Sequence, residues 1–194
     1  MWPISLGRRR ASIHRSEQNR WLSEMCVPLA PRTVLNLGAE PDSPDKEGRK
    51  YRDYFPDADF KTLDQRPHDD PRYIQGNLME PLAHLGQHDL VLCMSVLEHV
   101  ERPWIAAPNI VDLMAPGGHL YISMPWFFPV HEGPDFSDFW RARPAGLKIL
   151  FEGLELVREE VFPSALMIVR DRGSYWQNPI ATATGSAVLF RKPS

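Results

Sequence analysis

The sequence predicts an α/β domain built on an open, mainly parallel sheet with helices on both faces. Three observations carry that prediction. Asp89-Leu90-Val91-Leu92-Cys93-Met94-Ser95 is a short, nearly continuous apolar run, as a strand covered on both faces requires. Comparable runs alternate with helical patterns through most of the chain. Several of them end at a glycine or a carboxylate, namely Gly38, Asp64 and Gly76. The length of 194 residues suits one core, and 43% hydrophobic with 24% charged residues is ordinary globular usage.

The elements follow in order. Met1 to about Ile13 is basic and loop-like, and Trp21, Leu22, Met25 and Leu29 stand at helical spacing between Ser16 and Leu29. Residues 1–30 are therefore read as a basic segment with a leading helix, and 31–194 as the main domain. Thr33 to Leu37 is a β-prone run that stops at Gly38. A helical turn carries Tyr51 and Tyr54, and Asp59 to Asp64 forms a second strand. A weak strand at Tyr73 and Ile74 precedes Gly76-Asn77, and the Asp89 to Ser95 strand follows. Pro103 opens a helix, where a missing N–H costs little; Pro108 is expected to kink or restart it, and Pro116-Gly117-Gly118 to end the segment. His119 to Met124 is a further strand. Pro144 to Leu154 is an amphipathic helix, and Leu156 to Phe162 and Ala187 to Phe190 close the strand list.

Ligands in such sheets bind at the carboxyl ends of the strands. In this chain those ends carry Gly38-Ala39-Glu40, Asp64-Gln65, Gly76-Asn77, Ser95 to His99, and Met124 to His131. A glycine after strand one lets backbone approach a ligand closely, and a carboxylate ending strand two accepts both hydroxyl protons of a ribose. The pairing points to an adenosine-type cofactor.

With these residues in place, the sequence resembles the class I S-adenosylmethionine-dependent methyltransferases, in particular the small single-domain branch found in bacterial sugar and secondary-metabolite clusters. The likeness runs from about Thr33 to Arg158. It rests on Val34-Leu35-Asn36-Leu37-Gly38-Ala39, Thr62-Leu63-Asp64, Gly76-Asn77-Leu78, His88 to Cys93 running into Leu97-Glu98-His99-Val100, and Leu113 to Gly118. The stretch from Pro129-Val130-His131-Glu132-Gly133-Pro134-Asp135 through Phe139-Trp140-Arg141 to Leu147 looks like a signature of that branch. The resemblance implies a Rossmann-like, seven-stranded fold, S-adenosyl-L-methionine as cofactor and a small-molecule acceptor, with O-methylation of a sugar or secondary metabolite as the expected reaction. It implies that Gly38 and the backbone around Ala39 face the methionine part, Asp64 holds the ribose, Asn77 and Leu78 flank the adenine and Ser95 and Glu98 line the floor, with Asn36, Glu40, Gln65 and His99 also expected among the cofactor-binding residues. The chain departs from the family in two places. Asn36 replaces the usual acidic residue before the first glycine, and the glycine loop is reduced to Gly38-Ala39-Glu40-Pro41.

Methyl transfer from a sulfonium depends mainly on in-line placement of the acceptor. For a hydroxyl acceptor a base is useful, and His131 is the best candidate because imidazole titrates near neutral pH. Asp135 or Asp138 would orient it; Arg141 would bind an acidic acceptor or pair with Asp138. Together His131, Asp135 and Arg141 are the expected catalytic set. Trp126, Phe127, Phe128 and Trp140 offer an apolar acceptor pocket or plain core. Tyr175 and Trp176 would cap that pocket or contact a second copy of the chain in a homodimer. The remaining histidines lack partners at metal-ligand spacing, so no metal is expected.

Other classes fit less well. A net charge of −3 and the lack of a basic stripe beyond Arg8-Arg9-Arg10 argue against nucleic acid as partner. No apolar run approaches the roughly 20 residues of a membrane-spanning helix, and no signal peptide is evident after the arginines. Two cysteines, Cys93 in an apolar run, suit a reducing compartment, so a cytoplasmic location is expected. A nicotinamide-dependent oxidoreductase would share the sheet but needs a glycine-rich loop against a pyrophosphate, which is absent here. A non-catalytic binding or scaffold module on the same fold is the other alternative, favoured by the reduced first loop.

Overall fold

A computed structural model of the chain describes residues 11–162, 164–167 and 180–194. Arg8, Arg9, Arg10, Tyr175 and Trp176 lie outside the described residues. Seven strands form one sheet in the order β3-β2-β1-β4-β5-β9-β6, where β1 is Thr33–Leu37, β2 Asp59–Asp64, β3 Tyr73–Gln75, β4 His88–Met94, β5 Met114–Pro125, β6 Glu155–Val161 and β9 Gly185–Arg191. The pairs from β3 to β5 are parallel, and β9 runs antiparallel to both β5 and β6. The open, mainly parallel seven-stranded sheet expected from the sequence is the one found. A separate hairpin of β7 (Ser164–Met167) and β8 (Ile180–Ala183) was not anticipated.

Strand periodicity divides the core. Leu35, Leu37, Val91, Cys93, Leu120 and Ile122 are buried in one cluster, while Val34, Leu90, Leu92, Tyr121 and Leu189 are buried in the other. Alternate residues of the same strands thus feed opposite faces, which is why β1 and β4 read as continuous apolar runs. Helix α2 (Pro103–Asp112) and α3 (Pro144–Leu150) contribute Ala106, Ile110 and Leu147 to the first cluster. Helix α1 (Ile13–Trp21), with the helical turns running on to Leu29, contributes Trp21, Leu22 and Cys26 to the second.

Several details differ from the sequence reading, among them helix α3, which ends at Leu150 rather than Leu154. Helix α1 starts at Ile13, earlier than Ser16, because the Ser12 hydroxyl accepts from the Arg15 N–H and caps it. Helix α2 passes through Pro108 without a break in its assigned span. Strand β5 begins at Met114, pairing with His88 before a register shift that leads to Leu90 opposite His119. Gly117 there has φ +73°, and a side chain on Gly118 would meet the Ala115 and His88 carbonyl oxygens at 2.8 and 2.9 Å. The two glycines therefore accommodate an irregular strand start rather than a helix stop.

Candidate active site

The carboxyl ends of β1, β2 and β4 open on a cleft of about 1180 Å³. Gly38 leaves β1 with φ +64°, and its N–H donates to the Leu63 carbonyl at 2.7 Å. A Cβ on Gly38 would stand 2.9 Å from Val96 Cγ2, so this backbone position requires glycine for both torsion and space. Asp64 is the last residue of β2, and its Oδ1 accepts from the Arg66 N–H at 3.1 Å and from Arg66 Nε at 3.3 Å. Asn77 turns the chain after β3 by accepting from the Met79 N–H at 3.0 Å. Leu78 is buried beside it, and its carbonyl accepts from Asn109 of α2 at 2.8 Å.

Of the residues expected to hold the cofactor, Gly38, Asp64, Gln65, Asn77, Leu78, Ser95, Glu98 and His99 line this cleft together. Asn36 and Ala39 line a smaller cavity of about 230 Å³ that shares Gly38 and Ser95 with it. Glu40 is exposed and outside both linings, its N–H donating to Ser43 Oγ at 2.9 Å.

The opposite wall is made by a long loop, residues 126–143, laid over the helical turn Leu97–His99. Phe139 and Trp140 both donate backbone N–H groups to the Glu98 carbonyl, at 2.7 and 3.3 Å, and His99 Nδ1 stands 2.8 Å from the Ser137 carbonyl. Pinned there, the loop sets the His131 ring edge-on against His99, with ring centres 4.8 Å apart. His131 Nδ1 is 3.2 Å from Asp138 Oδ2, which also accepts the His131 backbone N–H at 3.1 Å. Asp138 has no exposed side-chain surface and takes the Arg141 guanidinium through both oxygens. The hydrogen bonds from Arg141 hold its carboxyl down to about 2 against an opposing push from burial.

This arrangement corrects the expected catalytic set. Asp138, not Asp135, partners His131; Asp135 lies exposed on the cleft wall. Arg141 is committed to Asp138 and does not line the cleft, which realises the pairing alternative rather than the acceptor-binding one. Phe128, Phe136 and Phe139 line the cleft, whereas Trp126, Phe127 and Trp140 do not. The Trp126 and Trp140 indole N–H groups instead donate to the Ala142 and Glu101 carbonyls, at 3.0 and 3.2 Å.

Glu98 is the most unusual group in the site. Its side chain has no exposed surface, and neither carboxylate oxygen has a hydrogen-bond partner among the described residues. Burial pushes its carboxyl up to about 7. Burial also lowers His99 below the ordinary imidazole range.

Helix α1 adds residues that sequence reasoning missed. His14 Nε2 lies 3.2 Å from Ser95 Oγ, and Gln18 Nε2 donates to the same hydroxyl at 2.8 Å and also to Ser123. Ser95 itself sits at φ +56°, a torsion held by its N–H to the Ser123 carbonyl. Burial and the nearby Arg15 cation lower His14 to about 4. Ser12, His14 and Arg15 all line the cleft, so the leading helix forms one of its edges. The local signal is the polar run His14 to Arg20 on a helix that then places the core residue Trp21.

Comparison with known proteins bears on the fold that carries this cleft. A family profile described as a methyltransferase domain matches residues 53–122, from the turn before β2 through most of β5. The fold as a whole is matched by solved methyltransferase structures. Residues 53–122 thus match a methyltransferase domain, and the chain has the fold of S-adenosylmethionine-dependent methyltransferases. Its fold matches a SAM-dependent methyltransferase from Archaeoglobus fulgidus with TM-score 0.60 and 14% identity, covering 92% of this chain and 94% of that one. It also matches the N-methyltransferase NodS from Bradyrhizobium japonicum in complex with S-adenosylhomocysteine, with TM-score 0.59 and 15% identity over 96% of this chain and 90% of that one. At such identities the likeness concerns the fold. Among curated relatives, methyltransferase str3 of Strobilurus tenacellus is 30% identical over 131 residues, 64% of this chain and 44% of the relative. A ubiquinone biosynthesis O-methyltransferase of Cronobacter sakazakii is 40% identical over 52 residues, 26% of this chain and 21% of the relative. The chain thus spans less than half the length of these methyltransferases.

Proposed function

We propose that this chain binds S-adenosylmethionine in the 1180 Å³ cleft and transfers its methyl group to an oxygen of a small-molecule acceptor, a hydroxyl of a sugar or secondary metabolite. The observation that carries the reading is the meeting of Gly38, Asp64 and Asn77 with Glu98 and His131 in one cleft at the strands' carboxyl ends. The residues fit the cofactor: Gly38 brings bare backbone to the cleft, Asp64 presents a carboxylate at the end of β2, and Leu78 supplies apolar surface. When bound, the cofactor supplies an activated electrophilic methyl group. The chain's own task is to orient the acceptor and exclude water, for which Phe128, Phe136 and Phe139 provide the apolar wall. His131, fixed by Asp138, accepts the acceptor hydroxyl's proton at its cleft-side nitrogen, with the nearby carboxylate stabilising the resulting imidazolium.

A small molecule rather than a nucleic acid is supported by the net charge of −3. Both cysteines are buried and free, in keeping with the reducing cytoplasm we assign to the protein. Titration calorimetry with S-adenosylhomocysteine tests the reading: we expect a Kd in the micromolar range, about −8 kcal/mol. No heat and no thermal shift at millimolar ligand would remove the enzyme reading in favour of a non-catalytic module on the same fold.

A further inference from the structure

Glu98, His99 and His131 bring one ligand-type atom each to within 4.8 Å of one another, at the floor and loop wall of the cleft. We propose that these three side chains bind a divalent transition-metal ion of the Zn²⁺ class, with its remaining coordination positions open to the cleft. The inference rests on the methyltransferase reading and assigns the acceptor half a metal in place of His131 as proton acceptor. Its test uses neither cofactor nor acceptor, so the two can fail separately.

The geometry of each donor supports ligation. Glu98 Oε1 lies 3.9 Å from His99 Nε2, and both Glu98 oxygens are buried without a hydrogen-bond partner among the described residues. Leaving such a group unpaired is costly, and a cation between it and the imidazoles removes that cost. His99 directs Nδ1 to the Ser137 carbonyl, which places its proton there and leaves the Nε2 lone pair facing Glu98. His131 has the carboxylate-histidine arrangement that commonly stands behind a metal ligand, with Asp138 at Nδ1 and Arg141 in turn holding Asp138. Two imidazoles and one carboxylate suit zinc-like ions, and three protein ligands leave at least one position for an exchangeable oxygen. Tetrahedral ligands at about 2.0–2.1 Å from such an ion stand roughly 3.4 Å apart, so the side chains need to close by about an ångström. With the ion bound, His131 is a ligand rather than a proton acceptor. A metal-bound acceptor hydroxyl then loses its proton to solvent through a lowered pKa, as metal-bound water does.

The test is Zn²⁺ titration calorimetry on the chelator-treated full chain, with Co²⁺ absorption as a spectroscopic probe of imidazole coordination. We expect one equivalent bound with micromolar or tighter affinity. Glu98→Gln and His131→Asn should each weaken binding at least tenfold, and Asp138→Asn, behind the ligand, about 10- to 100-fold. Circular dichroism and melting verify that each variant is folded, and the wild-type Co²⁺ spectrum stands independently of them. Failure of the wild-type chain to take up an equivalent at Zn²⁺ tenfold above protein overturns the proposal. So does unchanged affinity in folded Glu98→Gln and His131→Asn.

Discussion

The two halves of the cleft are built by different means. On the side of Gly38, Asp64 and Asn77, each residue is the end of a strand or the first turn after it, and its position follows from that strand and the register of the sheet. On the side of Glu98, His99 and His131, positions follow from a loop tied back across the fold to the turn after β4. The first half is held by strand register and stays hydrogen-bonded. The second concentrates a buried carboxylate with no hydrogen-bond partner among the described residues and two imidazoles packed edge to face. Parallel-sheet geometry supplies a cofactor-side scaffold through strand ends, whereas the acceptor side is assembled by loop contacts to the turn after β4.

That contrast has a pH signature, and it gives the largest expected effect. Glu98 is raised to about 7 from a carboxylate's ordinary 4.5, so its folded form holds a proton the unfolded form has lost. Its contribution to stability is complete below about 4.5 and is lost as pH rises through 7. His14 is lowered to about 4 from 6.5, so its contribution is present above 6.5 and is lost as pH falls towards 4. Each is worth about 3 kcal/mol by linkage, and the two oppose one another across the same window. Denaturant titrations of chelator-treated protein between pH 4.5 and 7 should show Glu98→Gln losing stability on acidification and His14→Asn gaining it. Parallel pH profiles for the two variants would break the contrast.

The second effect concerns turnover. If His131 is the proton acceptor or the metal ligand, His131→Ala should slow methyl transfer by about 100-fold or more at neutral pH. Methylated product measured by mass spectrometry with hydroxylated acceptors decides, and full activity would leave orientation alone as the source of rate.

A smaller change is expected on the cofactor side. Gly38→Ala meets Val96 at 2.9 Å and an unfavourable φ of +64°, which together cost about 1–2 kcal/mol. Thermal melting should fall by several degrees, and a neutral result would mean that the turn relaxes freely.

The same contrast explains what was legible in the sequence. Apolar runs and terminal glycines located β1, β2, β3 and β4, and with them the strand-end positions of Gly38, Asp64 and Asn77, because strand ends are local features. Tyr51 and Tyr54 were rightly placed on a helical turn for the same reason. His99 meeting His131 was not legible, since nothing at either position signals the loop bonds of Phe139 and Ser137 that join them. The absence of metal-ligand spacing was accordingly an argument about neighbours in sequence, and the three-residue cluster is a neighbourhood in space. The choice between Asp135 and Asp138 as partner of His131 likewise turned on how the loop closes. The pairing of Asp138 with Arg141 could be anticipated because they stand three residues apart. His14 and Gln18 escaped notice because their partners, Ser95 and Ser123, belong to the far end of β4 and to β5.

The division of labour within the cleft is tested most directly by S-adenosylhomocysteine calorimetry on three proteins side by side: the wild-type chain, Asp64→Ala and His131→Ala. The account predicts micromolar binding by the wild type and a loss of tens-fold or more in Asp64→Ala, since a charge-assisted hydrogen bond is worth about 1.5–3 kcal/mol. It predicts near-wild-type affinity in His131→Ala. Binding unaffected by Asp64→Ala, or weakened as much by His131→Ala, would contradict it.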